Sequence, residues 1–104
     1  MRQAHNNRVD ENQAQIVKEL RQAGCTVQSL GAVGDGCPDL LVGCLAYRNH
    51  LFEVKNPNKP PSKRRLTTEQ VQWHNTWKGQ VDVIETAEDA LKLMGLFEWT
   101  PQKA

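Results

Sequence analysis

The chain has 104 residues, of which 38% are hydrophobic and 24% charged, and its formal net charge is +1 at pH 7. Such a composition is typical of one globular domain with a modest core, so a second domain is not expected. The small net charge excludes a general attraction to polyanions, and any basic surface must be local. Because the apolar runs, such as residues 40–42, are far shorter than the roughly 20 residues that span a bilayer, we expect a soluble protein.

Three cysteines are present, Cys25, Cys37 and Cys44, and no apolar signal segment precedes them. Their number is odd and none has C-x-x-C spacing, which argues against a disulfide framework or a zinc site. We interpret them as reduced thiols of a cytoplasmic protein.

The first elements follow from the spacing of apolar residues. Residues 1–9 are polar and aperiodic, which predicts a flexible arm. A first helix is predicted that begins at Asp10 and ends at Gly24. Its apolar residues recur at helical spacing and so share one face: Ile16, Val17, Leu20 and Ala23. Residues 26–30 alternate and are β-branched enough for a first strand.

A loop with three glycines, at residues 31–38, separates this strand from a second one that begins near Asp39. Residues 45–55 then return as a third strand. Arg48, Asn49 and His50 are typical turn residues, so we expect an antiparallel hairpin with its turn at 48–50.

Residues 56–65 contain three prolines, four basic residues and no acid, which predicts an extended loop. Thr67 or Thr68 can cap the next helix, which should end at Gly79, and residues 80–86 form a fourth strand. The pair Thr86 and Asp89 predicts a capping box for a last helix. The resulting order, αβββαβα, indicates an α/β domain at residues 10–97 with a mixed sheet and packed helices, followed by a flexible tail at 98–104.

Charged residues interrupt two of the predicted strands. Successive strand residues face opposite sides of a sheet, so Glu53 and Lys55 share one face while Val54 points to the other. Asp39 begins the neighbouring strand, and the hairpin can bring its carboxylate beside that of Glu53. An isolated Glu-x-Lys triplet is usually a solvated ion pair, but its combination with Pro-Asp at the start of an apolar strand favours a site.

Two converging carboxylates repel each other, and burial adds a desolvation cost, so such a pair normally needs a cation. Oxygen ligands select a hard ion, which favours Mg²⁺ or Mn²⁺. Asp39 and Glu53 would be side-chain ligands, and the Val54 carbonyl could be a third ligand. Lys55 would hold or activate a water and offset charge on a phosphate.

Three segments resemble the PD-(D/E)XK nuclease superfamily, and within it the stand-alone virus-type replication-repair nuclease (VRR-NUC) domains of bacteriophages: GDGCPDLLVG, LFEVKNP and LTTEQVQWHNTW. The resemblance implies a restriction-endonuclease-like fold and metal-dependent hydrolysis of DNA phosphodiesters, with four-way and flapped junctions as typical substrates. It assigns metal binding to Asp39 and Glu53, names Lys55 as the catalytic lysine, and gives Gln70 the place of the family's helix glutamine. A phage-encoded protein would act in the host cytoplasm.

The first helix departs from the family pattern. Gln13 stands where related families often carry a metal- or water-binding glutamate, and its helical stripe should direct it towards the sheet and the metal site. Asp10 and Glu11 could compensate, but we interpret both as helix-capping residues because acids favour that end. The missing acid supports a rival reading, a DNA-binding module that retains the fold without cutting; a purely structural phage protein is a third.

The segment from Lys55 to Arg65 is the one strongly basic stretch, and we expect it to contact the DNA backbone. Besides Lys55, its cations are Lys59, Lys63, Arg64 and Arg65. Base readout is not expected, because nothing resembles a recognition helix.

On the second predicted helix we expect Trp73 and Trp77 to pack in the core, with stacking on DNA bases as the alternative. His74 should pack beside them, with a phosphate or water contact as the alternative. So small a domain offers little surface for branched DNA, so we also expect a symmetric homodimer, on the family resemblance and on symmetry.

Overall fold

The computed structural model describes residues 10–44 and 47–96. Its elements are, in chain order, α1 (Gln13–Gln22), β1 (Thr26–Ser29), β2 (Leu40–Cys44), β3 (Arg48–Val54), α2 (Pro61–Arg64), α3 (Thr68–Thr76), β4 (Asp82–Ile84) and α4 (Ala87–Leu93). This is an α+β domain in the predicted order, with α2 as one additional short helix. The arm predicted at residues 1–9 and the tail predicted at 98–104 lie outside the described residues.

The four strands form one mixed sheet in the order β1-β2-β3-β4. β1 pairs antiparallel with β2, and β2 with β3, whereas β4 lies parallel to β3. A parallel neighbour requires a crossover, and α2 and α3 lie in it. The mixed sheet is therefore confirmed, and the crossover carries α3 past the end of β3.

The hairpin between β2 and β3 differs from the prediction. Arg48 pairs with Cys44 and His50 pairs with Val42, so the predicted turn at residues 48–50 is wrong and these residues belong to β3. β2 ends at Cys44 and β3 begins at Arg48, and Tyr47, directly before β3, has a φ of 59°. Polar residues resemble a turn in sequence, but Arg48 and Asn49 are tolerated in the strand because they lie exposed at its outer end.

The predicted extended loop at residues 56–65 is also wrong in part, because residues 61–64 form the single turn of α2. Pro61 suits the start of a helix, since its fixed φ is already helical and its missing N–H would have no partner there. Lys63 N donates to Pro60 O at 2.8 Å, which closes the turn.

The hydrophobic core lies between the sheet and the two terminal helices, α1 and α4, which contact each other. Phe52 and Val54 point into this core, as the alternation of β3 predicts. Other members include Ile16, Leu20, Leu40, Val42, Ile84, Ala90 and Leu91. The side chains of Glu53 and Lys55 therefore leave β3 on the opposite face.

Helix α3 contributes no buried residue, so the expected packing of its tryptophans in the core is wrong. Trp73 and Trp77 stack on each other instead, with ring centroids 4.6 Å apart, and Trp77 is 45% exposed. The indole Nε1 of Trp77 donates to Gln80 O at 3.1 Å. The rings shield one another rather than the sheet.

No helix within residues 10–44 and 47–96 is both long and apolar enough to cross a membrane.

Candidate active site

A cleft of about 510 Å³ opens between the glycine-rich loop, the end of β3 and the start of α3. Six residues predicted from the sequence, or weighed there, meet in it: Asp10, Asp39, Glu53, Lys55, Lys63 and Gln70. Val54 also lines the cleft, and because its side chain belongs to the core, its backbone is the part that faces the cavity.

The two acids of the predicted site lie side by side. Asp39 Oδ2 accepts a hydrogen bond of 2.7 Å from Val54 N, which fixes its carboxylate against the end of β3. Glu53 is only 2% exposed; its Oε2 accepts from Gln70 Nε2 at 2.8 Å, and its Oε1 is buried without a hydrogen-bond partner. An orphaned carboxylate oxygen in the interior is costly unless a proton or a cation reaches it.

The electrostatics of Glu53 agree with this geometry. Burial raises its pKa to about 8, the nearby charge of Asp39 acts in the same direction, and Lys55 opposes both. Without a cation the pair therefore favours holding a proton near neutral pH.

Lys55 and Gln70 complete the group of side chains around Glu53. Lys55 Nζ donates to Gln70 Oε1 at 2.9 Å and lies 3.6 Å from Glu53 Oε2. Gln70 Oε1 also accepts from Thr67 N, and Gln70 N donates to Thr67 Oγ1, which makes Gln70 the third helical residue of a capping box. One amide thus caps α3 and orients both Glu53 and Lys55.

The start of α1 is tied to the cleft by Asn12. Its Nδ2 donates to Lys55 O and to Glu85 O, each at 3.0 Å, and Asn12 is the residue that precedes the first helical turn. That turn contains no acid, so the interpretation of Asp10 and Glu11 as capping residues is wrong. Sequence alone favours acids at the N-terminus of α1, because the long-range hydrogen bonds of Asn12 are not visible in the sequence.

Asp10 is the site residue that sequence reasoning set aside. It lines the cleft, whereas Glu11 is exposed. Burial raises the pKa of Asp10, and Lys59 and Lys55 oppose that rise, so its carboxyl interacts electrostatically with the cations of the site. Gln13 is buried but lines a separate cavity with Val17 and Arg21 and is not among the residues of the cleft.

The basic segment meets the cleft through part of its length. Lys63 lines the cavity, and the charge of Lys59 acts on Asp10. Arg64 is half-buried, with its Nε buried and without a hydrogen-bond partner, while Arg65 is exposed. Lys63 is therefore the cation of residues 59–65 that lines the cleft together with the two acids.

His74 is half-buried against the edge of Trp73, with ring centroids 6.1 Å apart, so it packs beside a tryptophan as expected. It does not line the cleft. Burial lowers the pKa of His74, and the positive charge of Lys55 adds to this. The neutral ring is therefore favoured, which weakens a role as a phosphate contact.

The glycine-rich loop forms the wall of the cleft opposite β3. Gly36 has a φ of 83°, and a Cβ placed on it would lie 2.4 Å from Glu69 O. Only glycine allows the loop to approach the start of α3 this closely. The loop therefore helps to hold Gln70 at its place over Glu53.

Two carboxylates, one with an orphaned buried oxygen, together with a backbone segment at Val54, suit a hard divalent cation such as Mg²⁺. Within the described part of the chain, no three side chains of the types His, Cys, Asp and Glu are arranged to hold a metal ion. Asp39 and Glu53 are the two carboxylates that lie side by side in the cleft.

No protein-family model, curated protein or solved structure matches the chain.

Proposed function

We propose that the chain is a divalent-metal-dependent DNA endonuclease of restriction-endonuclease-like fold, selective for branched DNA. The observation that carries the proposal is the meeting of Asp39, Glu53 and Lys55 in one cleft, with a Glu53 oxygen that has no partner. An α-helix, three antiparallel strands, a crossover helix, a parallel strand and a last helix are also compatible with the fold that the resemblance implies.

In this proposal Asp39 and Glu53 hold Mg²⁺ or Mn²⁺, with the Val54 backbone as a further ligand. The ion, when bound, supplies positive charge that polarises a phosphate and acidifies water. Lys55 is held by Gln70 and Glu53 in the same site, where its ammonium can orient a water and offset charge that develops on the phosphate.

The basic residues give the proposal its substrate class. Lys63 lines the cleft, and Lys59 and Arg65 lie exposed in the same segment, so they can contact phosphates on either side of the scissile bond. Contacts to phosphates give no information about base sequence, so a protein that relies on them selects DNA by its shape. A homodimer would present two such clefts to a four-way junction, and this remains part of the proposal.

A non-cleaving DNA-binding module is the second candidate. One observation favours it: Gln13 contributes no charge and does not line the cleft. Asp10 lies in the cleft and can supply that negative charge, which is why we prefer the enzyme.

The test is incubation of the purified protein with supercoiled plasmid and with labelled four-way, flapped and linear duplex DNA, each with Mg²⁺, Mn²⁺ or a chelator. If the chain is the proposed nuclease, we expect cleavage products only when a metal ion is present, and we expect branched DNA to be cut faster than linear duplex. Salt-sensitive binding without products in either metal would support the module instead. Equal cutting of all substrates would contradict the selectivity for branched DNA but would still support the nuclease activity.

A further inference from the structure

We infer that Cys25 and Cys44 are a cross-strand dithiol that closes reversibly into a disulfide when the protein meets a disulfide oxidant such as oxidised glutathione. This site is separate from the cleft and does not depend on the proposed nuclease activity.

The sheet register, extended by one position beyond the end of β1, brings the two cysteines opposite each other. β1 and β2 pair antiparallel with Thr26 opposite Gly43, so the next position brings Cys25 opposite Cys44. At the other end of this ladder, Leu30 N donates to Asp39 O at 2.8 Å, which makes that pair a hydrogen-bonded one. Pairs alternate along an antiparallel ladder, so the Cys25–Cys44 position is of the non-hydrogen-bonded type.

Non-hydrogen-bonded pairs are the closer ones, with Cα atoms about 4.5 Å apart, and this is within the range that a disulfide spans. The backbone N of Cys25 agrees with this assignment, because it donates to Leu20 O rather than across the ladder.

Both sulfurs also lie on the same face of the sheet. Cys25 belongs to the core cluster, and Cys44 packs against that cluster. Cys44 follows Leu40 and Val42 at alternate positions of β2, and both of those side chains are buried in the core. The pKa of Cys25 is raised by burial and by Cys44, which indicates that the two thiols interact.

An oxidant can reach this pair from one side. Cys44 lines a surface cavity of about 460 Å³, together with Gly24, Gly43 and Arg48. Arg48 lies opposite Cys44 in the β2–β3 ladder and offers a positive charge to the carboxylates of glutathione. Cys25 is only 6% exposed. The first contact with an oxidant is therefore expected at Cys44.

The reaction balances as two successive thiol–disulfide exchanges. The Cys44 sulfur attacks the glutathione disulfide, loses its proton and releases one reduced glutathione. The Cys25 sulfur then attacks the mixed disulfide, loses its proton and releases the second glutathione. Two protein thiols are oxidised to one disulfide, and one glutathione disulfide is reduced to two thiols. Cys37 takes no part, because it lies in the cleft beside Glu53 and Asp39.

The experiment treats the full chain with oxidised glutathione, alkylates the remaining thiols and digests with a protease that cuts after Asp and Glu. This separates the three cysteines into fragments 20–35, 36–39 and 40–53. We expect fragments 20–35 and 40–53 to be joined in most chains, fragment 36–39 to be alkylated, and dithiothreitol to reverse the link. The Cys37→Ser variant should give the same linked pair.

Thermal melting provides a second measurement on the same samples. The oxidised protein should melt at a higher temperature than the reduced protein, because the link restricts the unfolded chain, and the Cys44→Ser variant should lose this difference. Absence of the joined fragments, a link through Cys37, or links formed only between two chains would overturn the inference. Because Cys44 lies at the end of β2 away from Asp39, cleavage by the oxidised protein should be unchanged.

Discussion

Gln70 Nε2 donates a hydrogen bond of 2.8 Å to the Glu53 carboxylate, which lies 17 residues earlier in the chain. The carbonyl oxygen of the same amide accepts from Lys55 Nζ and from Thr67 N. The helix cap and the cleft therefore depend on one side chain. A change at Gln70 should affect stability and activity together, whereas a change to the cap alone should affect stability only.

Gln70→Ala should lower the cleavage rate by about 100-fold, because Lys55 and Glu53 lose the group that orients them. It should also cost about 1–3 kcal/mol of stability, since buried partners are left unpaired. Thr67→Ala is the matched control: it removes the Thr67 hydroxyl from the cap, costs about 1 kcal/mol, and leaves the Gln70 amide in place. Denaturant melts and single-turnover cleavage measure both effects. Equal activity losses in the two variants would contradict the assigned role.

Stability should depend on pH through Glu53. Its pKa is raised from 4.5 to about 8 in the folded state, so the folded protein keeps a proton that the unfolded chain releases. The stabilisation is present below about pH 4.5 and is lost as the pH rises towards 8.

Relative to the wild type, Glu53→Gln should gain stability as the pH rises from 5 to 8, measured by urea unfolding at each pH without divalent metal. Adding Mg²⁺ at pH 8 should stabilise the wild type but not the variant. A pH-independent difference between the two proteins would rule out the raised pKa.

Gly36→Ala should destabilise the domain by more than Gly34→Ala. Both glycines have positive φ, of 83° and 78°, so each substitution carries backbone strain of about 1–2 kcal/mol. Only at Gly36 would the added Cβ also collide with α3, at 2.4 Å from Glu69 O, whereas nothing lies within 4 Å at Gly34. The difference in unfolding free energy between the two variants isolates the collision. Similar values would mean that the loop does not pack on α3 in solution.

Asp10→Asn should raise the Mg²⁺ concentration needed for half-maximal cleavage by roughly 3- to 10-fold, because the cleft loses a negative charge at a partly exposed position. Glu11→Gln removes the same charge one residue later, outside the cleft, and should have almost no effect. Metal titrations of both variants against a labelled junction make the comparison. If Glu11→Gln had the larger effect, Asp10 would not belong to the site.

Much of the fold could be predicted because local patterns and tertiary packing agree. The alternation in β3 placed Phe52 and Val54 on the core face and Glu53 with Lys55 opposite them, and the structure confirms this. The capping box at Thr86 is confirmed for the same reason, since it depends only on a three-residue spacing.

The errors arose where a distant contact decides the local structure. Arg48 to His50 resemble a turn until the register with β2 is known. The start of α1 at Asn12 could not be assigned, because the side chain of Asn12 makes no capping hydrogen bond and is anchored instead by the carbonyls of Lys55 and Glu85, far away in sequence. Trp73 and Trp77 read as core residues by type, but their helix lies in the crossover, away from the packed face of the sheet.

The most direct test of the central claim is cleavage of a labelled four-way junction by the wild type, Glu53→Gln and Asp39→Asn in Mg²⁺, with junction binding measured in parallel. The account predicts cutting by the wild type, and a loss of at least about 100-fold in both variants while binding is retained, because each variant lacks one of the two charges that hold the ion. Wild-type cutting that survives in both variants, or that continues in the presence of a chelator, would contradict it.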